Sequence, residues 1–251
     1  MLNQRNLLLR VTEDKFYMWF LFIISFIILL FLSRKITSNL YLLTFLIFKS
    51  QRLSLAVLAG ILLPGTIIHE LSHFITATIL RVPTGNLTVF PKVEKGGKVR
   101  TGRLEMAGTD PFRHTLIGLA PLIIGIFIIY VVGKIFLNDF PQILNSEFQI
   151  LNSIIGSYLL FITSNTMFTS KRDLAGLKIA GPIILITLIS LYYLGVRIFL
   201  EEPIVRKIDA VLKNLNYYLL TAAAINLSVY LLLILNIRFW QKILRRNVVK
   251  I

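Results

Sequence analysis

Long runs of apolar residues, separated by short polar gaps, dominate the sequence. A helix needs about 20 mostly apolar residues to cross the hydrocarbon layer of a bilayer. Six segments meet this requirement and predict membrane-spanning helices at 16–33, 53–80, 115–133, 148–170, 179–196 and 214–237. A further apolar stretch, 36–48, is short for a span and is predicted to be interfacial or re-entrant, so the predicted count is six or seven.

One loop shows the alternation of a β-strand instead. Apolar and polar residues alternate on both sides of Gly96-Gly97, a dipeptide typical of a hairpin turn. We therefore expect one small β-hairpin over residues 87–106. The predicted fold is an all-α polytopic membrane protein with this single hairpin at its cytosolic face.

The composition narrows the class of protein. Hydrophobic residues make up 56 % of the 251 residues and charged residues 16 %, against about 45–50 % and about 25 % in soluble domains. A soluble globular protein, a disordered tail and a coiled coil are thereby excluded. There is no cysteine, which excludes disulfides, thiolate metal ligands and a cysteine nucleophile.

The apolar segments follow one another with short gaps, which predicts a single membrane domain over 1–251. Within it, 16–33 follows a basic start and has no small-residue cleavage site after it, which is typical of a retained signal anchor. Residues 177–251 hold two further spans and a basic C-terminal tail.

The net charge of +15 is explained by membrane orientation. Lys and Arg concentrate on the cytosolic side of membrane proteins. With six spans, the side that holds loop 81–113 carries 18 of them against 9 on the other. This loop is therefore predicted to be cytosolic, and the charge predicts the lipid bilayer as a partner and no nucleic acid. The Ile-, Leu-, Asn- and Lys-rich composition favours a prokaryotic cell membrane.

The segment His69-Glu70-Leu71-Ser72-His73 is an HExxH motif inside an apolar span. Residues four apart lie on the same face of a helix, so His69 and His73 can bind one Zn²⁺ while Glu70 acts as the general base toward water. The alternative is that both histidines hydrogen-bond between helices and Glu70 pairs with a buried Lys or Arg. Three ionisable groups in five residues at membrane depth favour the functional interpretation, because each costs about 2.5–3.5 kcal/mol there on insertion scales.

A catalytic zinc site needs a third protein ligand. The residues that could supply it are His114, Asp110, Asp173, Glu201, Glu202, Glu105 and Asp139. Since the HExxH span runs toward the cytosol, the donor is expected at the cytosolic end of another span. Asp173 meets this condition and is favoured, while His114 and Asp110 lie on the same side and stay open.

These residues resemble the site-2 protease family of intramembrane zinc metallopeptidases over about residues 53–176. That family places a Gly-Pro pattern in the next span and an Asn…Leu-Asp-Gly motif in the one after. Here these correspond to the run from Gly118 to Pro121 and to Asn165 with Asp173, eight residues apart. The usual prolines between Asn and Asp are absent, and Leu-Asp-Gly is replaced by Arg172-Asp173-Leu174.

The resemblance implies an enzyme that cuts membrane-anchored protein or peptide substrates with one Zn²⁺ per chain. Asp173 would be the third ligand, and Asn165 would orient the substrate or the site. An unwound substrate would add to the edge of the hairpin by strand pairing, with Val89 and Phe90 among the residues that bind it.

Two other functions remain. One is a non-catalytic zinc-binding membrane scaffold, and the other is a membrane metalloprotease of another class, with Glu201 or Glu202 as third ligand. Asn226 and Ser228, in the last span, are expected to make interhelical hydrogen bonds.

Overall fold

A computed structural model shows a bundle of helices with short β-strands between the second and third helix. It describes residues 2–89, 92–93, 99–100, 103–137, 147–168, 173, 177–195 and 201–244. The helices in these residues are α1 (Leu2–Phe48), α2 (Gln51–Ile79), α3 (Pro111–Phe136), α4 (Glu147–Thr166), α5 (Leu177–Tyr193) and α6 (Glu202–Leu244). The strands are β1 (Thr84–Thr88), β2 (Lys92–Val93), β3 (Val99–Arg100) and β4 (Arg103–Met106).

The helices are those of a multi-pass membrane protein. Among the described residues, four are long and apolar enough to cross a bilayer: Tyr17–Phe48, Gln51–Ile79, Pro111–Phe136 and Glu202–Leu244. A shorter apolar helix covers Lys178–Leu191. Large apolar side chains such as Ile123, Phe127 and Leu235 are more than half exposed on the outside of the bundle, as expected of a surface in contact with lipid. Each predicted span overlaps one of the six helices.

The first helix differs from the prediction. It runs unbroken over 47 residues, about 70 Å at 1.5 Å per residue, so 36–48 continues the first span and is no separate interfacial or re-entrant segment. The polar residues that interrupt the apolar run do not interrupt the helix. Ser33 bonds back to the Leu30 carbonyl at 3.1 Å, and the Lys35 ammonium lies 5.6 Å from the Phe31 ring centroid. The helix ends instead at Lys49, whose φ of 54° is left-handed.

The last helix also begins earlier than its apolar segment. α6 has 43 residues and starts at Glu202, whereas hydropathy alone places the span at 214–237. Residues 202–213 mix charged and apolar side chains, so a hydropathy criterion misses them although they are helical.

Three helices, α2, α3 and α4, pack around the HExxH motif. The Tyr158 hydroxyl donates to the Ile61 carbonyl at 3.0 Å, and a Cβ on Gly65 would overlap the Thr166 side chain. From the first contact to the second, the residue numbers increase in both helices, so α2 and α4 run in the same direction.

α3 runs against α4. A Cβ on Gly125 would overlap Met167, just after the end of α4, and a Cβ on Gly156 would overlap Phe136 at the opposite end of the contact. Small residues let helix backbones approach closely in membranes, where packing replaces the hydrophobic effect as the driving force.

The predicted hairpin region is confirmed as antiparallel strands. β1 pairs with β4 and β2 pairs with β3. The register shifts between Thr84 and Leu87, where one extra residue on β1 forms an irregularity. The turn at Gly96-Gly97 lies outside the described residues.

The base of the hairpin packs against the helices. Val82, Ala77 and Ile117 form a small apolar cluster with Leu80 and Met106. This cluster joins the C-terminal end of α2 to the beginning of α3. The strands therefore lie beside the end of α2 that is nearer the HExxH motif.

Two glycines of α2 provide a test of this packing. Gly60 has open space where a Cβ would be placed, whereas a Cβ on Gly65 meets Thr166 and the Ile162 carbonyl. We expect Gly65→Ala to lower the free energy of unfolding by about 1–3 kcal/mol, the usual cost of overpacking. Gly60→Ala should leave stability unchanged or raise it, because alanine is the better helix former. Thermal unfolding in detergent measures both, and equal midpoints would contradict the contact.

Candidate metal centre

The two histidines of the HExxH motif lie one turn apart on α2. Their ring centroids are 4.9 Å apart and the rings meet edge to face, with an interplanar angle of 85°. Asp173, in the segment after α4, joins them. One ligand atom from each of His69, His73 and Asp173 lies within 4.8 Å of the other two. The structure therefore brings together the three residues that the sequence predicts as metal ligands.

The backbone carbonyl of Ile117 in α3 orients His73. This carbonyl lies 2.8 Å from Nδ1 of the buried His73 ring. A carbonyl only accepts hydrogen bonds, so in the neutral ring Nδ1 carries the hydrogen and Nε2 carries the lone pair. Metal-binding histidines usually donate their second ring nitrogen in this way, which fixes the tautomer and the ring orientation.

The ring of His69 has an unsatisfied nitrogen. Its Nδ1 is buried and has no hydrogen-bond partner among the described residues. The same is true of the Thr163 hydroxyl on α4. Both side chains line a cavity of about 10 Å³, whose walls are Gly65, Ile68, His69, Pro121, Gly125, Thr163, Thr166 and Met167. The cavity is near the smallest size that holds one water molecule.

The donor set suits a zinc ion. Two imidazoles and a carboxylate are a ligand set of catalytic zinc sites. A tetrahedral zinc ion with bonds of about 2.0–2.2 Å holds its ligand atoms about 3.4 Å apart, so small side-chain rotations close the observed group to that spacing.

Gly118 on α3 allows Asp173 to reach the histidines. A Cβ at this position would overlap the backbone carbonyl of Asp173. Any larger residue would push the Asp173 backbone away from α3, which also carries the Ile117 carbonyl that orients His73. Neighbouring residues of one helix turn thus position two of the three candidate ligands.

Glu70 lies in the same turn of α2 and is 4 % exposed. The motif requires its general base next to the first ligand in sequence and close to the metal, and Glu70 has this position. Its catalytic role stays a prediction.

The other carboxylates that the sequence offered as ligands lie elsewhere. Asp110 is the N-cap of α3 and accepts from the backbone N–H groups of Phe112 and Arg113 at 3.1 and 3.0 Å. The hydrogen bond from the Arg113 backbone, with the nearby Arg113 guanidinium, holds the pKa of Asp110 below its usual value. Its task is helix capping.

The downstream glutamates are also outside the group. Glu201 and Glu202 are exposed, and Glu202 pairs with Arg206 at 3.4 Å in the first turn of α6. Of the remaining candidates, Glu105 is exposed, His114 is half-buried and outside the group, and Asp139 lies outside the described residues.

Asn165 and Asn226 form a buried hydrogen bond between α4 and α6, with 2.6 Å between Nδ2 of Asn165 and Oδ1 of Asn226. The expectation that Asn226 bonds between helices is confirmed. The same expectation for Ser228 is wrong, because its hydroxyl donates to the Ala224 carbonyl of its own helix at 2.9 Å. A serine hydroxyl reaches the carbonyl four residues back without a partner helix.

The predicted substrate-binding residues are described only in part. Val89 follows β1 directly and is half-buried, beside the strand edge that the prediction requires. Phe90 lies outside the described residues.

Two positions that support the candidate ligands are not predicted from the sequence. These are the Ile117 carbonyl and the close approach at Gly118. A backbone carbonyl carries no signal in the sequence, and Gly118 stands out only as part of the family pattern.

Comparison of the chain with protein-family models, curated proteins and solved structures finds no match.

Asp173 and Asp110 are matched tests of the metal centre. Asp173→Ala should remove most bound zinc, because a ligand is lost. Asp110→Ala should leave zinc unchanged and lower the thermal unfolding midpoint. A carboxyl group with a lower pKa in the folded than in the unfolded state stabilises the fold at pH values above its unfolded-state pKa. This stabilisation is lost as the pH falls through the folded-state pKa. The difference in midpoint should therefore shrink in acid. Elemental analysis and thermal scans measure these effects, and full zinc in Asp173→Ala would remove this residue from the site.

Proposed function

We propose that the protein is an intramembrane zinc metalloendopeptidase, similar to the site-2 protease family, which cleaves peptide bonds of membrane-anchored proteins. The observation that carries the proposal is the convergence of His69, His73 and Asp173 within 4.8 Å. Two of the three come from a helix long and apolar enough to cross a bilayer. Ionisable groups at such a depth are expensive and mark functional sites.

One Zn²⁺ per chain is the proposed cofactor. Zinc acts as a Lewis acid, which activates water and polarises a carbonyl. The chain itself supplies neutral imidazoles and a carboxylate. The Ile117 carbonyl keeps the His73 ring in one tautomer, so that the lone pair of Nε2 is available without a change of protonation.

Glu70 is proposed to handle the proton. Its carboxylate takes a proton from the attacking water while the water oxygen bonds to the scissile carbonyl carbon. The same proton then passes to the amide nitrogen as the C–N bond breaks, which gives a carboxylic acid and an amine. The acid then ionises, and its proton is taken up by the more basic amine. Burial of Glu70 keeps this proton transfer away from bulk solvent.

The site lies near the end of α2 that carries the strands. Ten residues separate His69 from Ile79, the last residue of α2, a rise of about 15 Å. A substrate helix must unwind before it is cut, because its peptide groups are otherwise hydrogen-bonded to one another. An unwound segment can pair with a strand edge, and β1 with Val89 provides one on this side of the bundle.

The distribution of Lys and Arg supports an orientation with this end in the cytosol, and the Ile-, Leu-, Asn- and Lys-rich composition favours a prokaryotic cell. Water and substrate would then reach the site from the same side. The exposed position of Glu201 and Glu202 counts against a protease class that uses a downstream glutamate as ligand.

Glu70→Gln is the direct test. The amide keeps the shape of the side chain and cannot take up the proton. We expect one zinc per chain, as in wild type, and a loss of cleavage of about 10²–10⁴-fold, the usual contribution of a general base. Zinc is measured by elemental analysis, and cleavage is measured with a model transmembrane substrate in detergent.

Glu202→Gln is the matched control, because this glutamate is exposed on α6 and should affect neither measurement. Cleavage retained by Glu70→Gln would overturn the proposed mechanism. Zinc binding by a wild-type chain that cleaves no substrate would favour the zinc-binding scaffold instead.

A further inference from the structure

A buried polar network joins the last turn of α4 to α6. It consists of Asn165 and Ser164 on α4 and Asn226 on α6. Asn226 has no exposed surface. Its Oδ1 accepts from Asn165 at 2.6 Å, and its Nδ2 donates to the Ser164 hydroxyl at 2.7 Å.

The network admits one arrangement of its donors. Asn165 Nδ2 also donates to the Phe161 carbonyl at 2.7 Å, so both of its amide hydrogens are used. The Ser164 hydroxyl donates to the same carbonyl at 3.1 Å. Rotating the Asn165 amide by half a turn would set its oxygen against two acceptors, which the surrounding apolar environment penalises strongly.

This network lies where the chain leaves α4 for the third ligand. Asn165 is the penultimate residue of α4, which ends at Thr166, and Asp173 follows eight residues after Asn165. α2 holds this end through the contact at Gly65, and α3 holds it through the contact of Gly125 with Met167.

α2 and α3 limit how closely the end of α4 can approach, through the contacts at Gly65 and Gly125. α2 also accepts the Tyr158 hydrogen bond at the Ile61 carbonyl, about two turns before the end of α4. The two hydrogen bonds from Asn226 act on the last turn itself, and they fix its rotation from the side of α6.

We propose that Asn226 is a positioning residue of the metal centre. By holding the last turn of α4, it sets where the following segment delivers Asp173 to His69 and His73. The inference rests on the proposed zinc site. It extends that site to α6, a helix outside the segment 53–176 on which the site was predicted.

Hydrogen bonds of this kind also hold membrane helices together. That role alone predicts a change in stability without a change in zinc affinity. A positioning role predicts weaker zinc binding by folded chains, because residues that orient metal ligands typically change affinity about 10–100-fold when they are replaced.

The test measures zinc affinity of the purified full chain in detergent, by competition with a chelator, beside thermal unfolding. Asn226→Leu removes both hydrogen bonds at similar volume and should weaken zinc binding about tenfold or more. The matched control is Asn236→Leu on the same helix. Asn236 is exposed, and among the described residues its side chain donates only to the Leu232 carbonyl of its own helix, so zinc affinity should not change.

A double variant separates positioning from stability. Asn165→Leu with Asn226→Leu removes both partners and leaves no orphaned amide, which is far less destabilising than removing one. We expect thermal stability to recover toward wild type while zinc affinity stays low. This variant also carries the test if Asn226→Leu alone does not fold.

The outcomes separate this inference from the function on which it rests. Zinc bound by wild type and equally well by Asn226→Leu, or a double variant with wild-type affinity, would overturn the positioning role alone. No zinc in wild type would overturn the metal centre and the positioning role together. Weak binding in both variants and normal binding in Asn236→Leu would support the inference.

Discussion

The structure depends on hydrogen bonds between polar side chains buried among apolar helices, because lipid offers these side chains no hydrogen-bond partner. His73 bonds to the Ile117 carbonyl, and Asn226 bonds to two side chains of α4. These bonds join α2 to α3 and α4 to α6 at defined points. His69 Nδ1 and the Thr163 hydroxyl have no partner among the described residues, and both side chains line one small cavity. The bonds of His73 and Asn226 hold the helices around the candidate site.

The site also requires helices that approach one another closely, and glycines allow this. Hydrogen bonds to a backbone carbonyl require close helices, and Gly65, Gly118 and Gly125 each occupy a contact in which a Cβ would overlap a neighbour. All three contacts lie within about two turns of His69 or His73 along the packed helices. Close approach also occurs at Gly133 and Gly156, away from the histidines, but at the proposed metal centre it lets the third candidate ligand come from a different part of the chain.

The sequence predicted what local pattern determines. The helices follow from long apolar runs, the strands from alternation, and the shared face of His69 and His73 from their spacing. The residues alone favour Asp173 as third ligand and keep His114 and Asp110 open, since a contact across 100 residues has no local signal. The continuity of α1 was missed because hydropathy registers a polar interruption, although Ser33 bonds within its own helix and leaves the helix intact.

The three proposed ligands come from two kinds of segment, and this bears on how the end of α4 is held. His69 and His73 are fixed relative to each other by one helix, whose hydrogen bonds set their spacing. Asp173 has no such support, because it lies seven residues beyond the end of α4. Its position therefore depends on the contact with Gly118 and on the helix end from which the segment departs. A site that takes its third ligand from outside a helix must fix that helix end in rotation as well as in distance, and this is what the buried amides of α4 and α6 add to the glycine contacts.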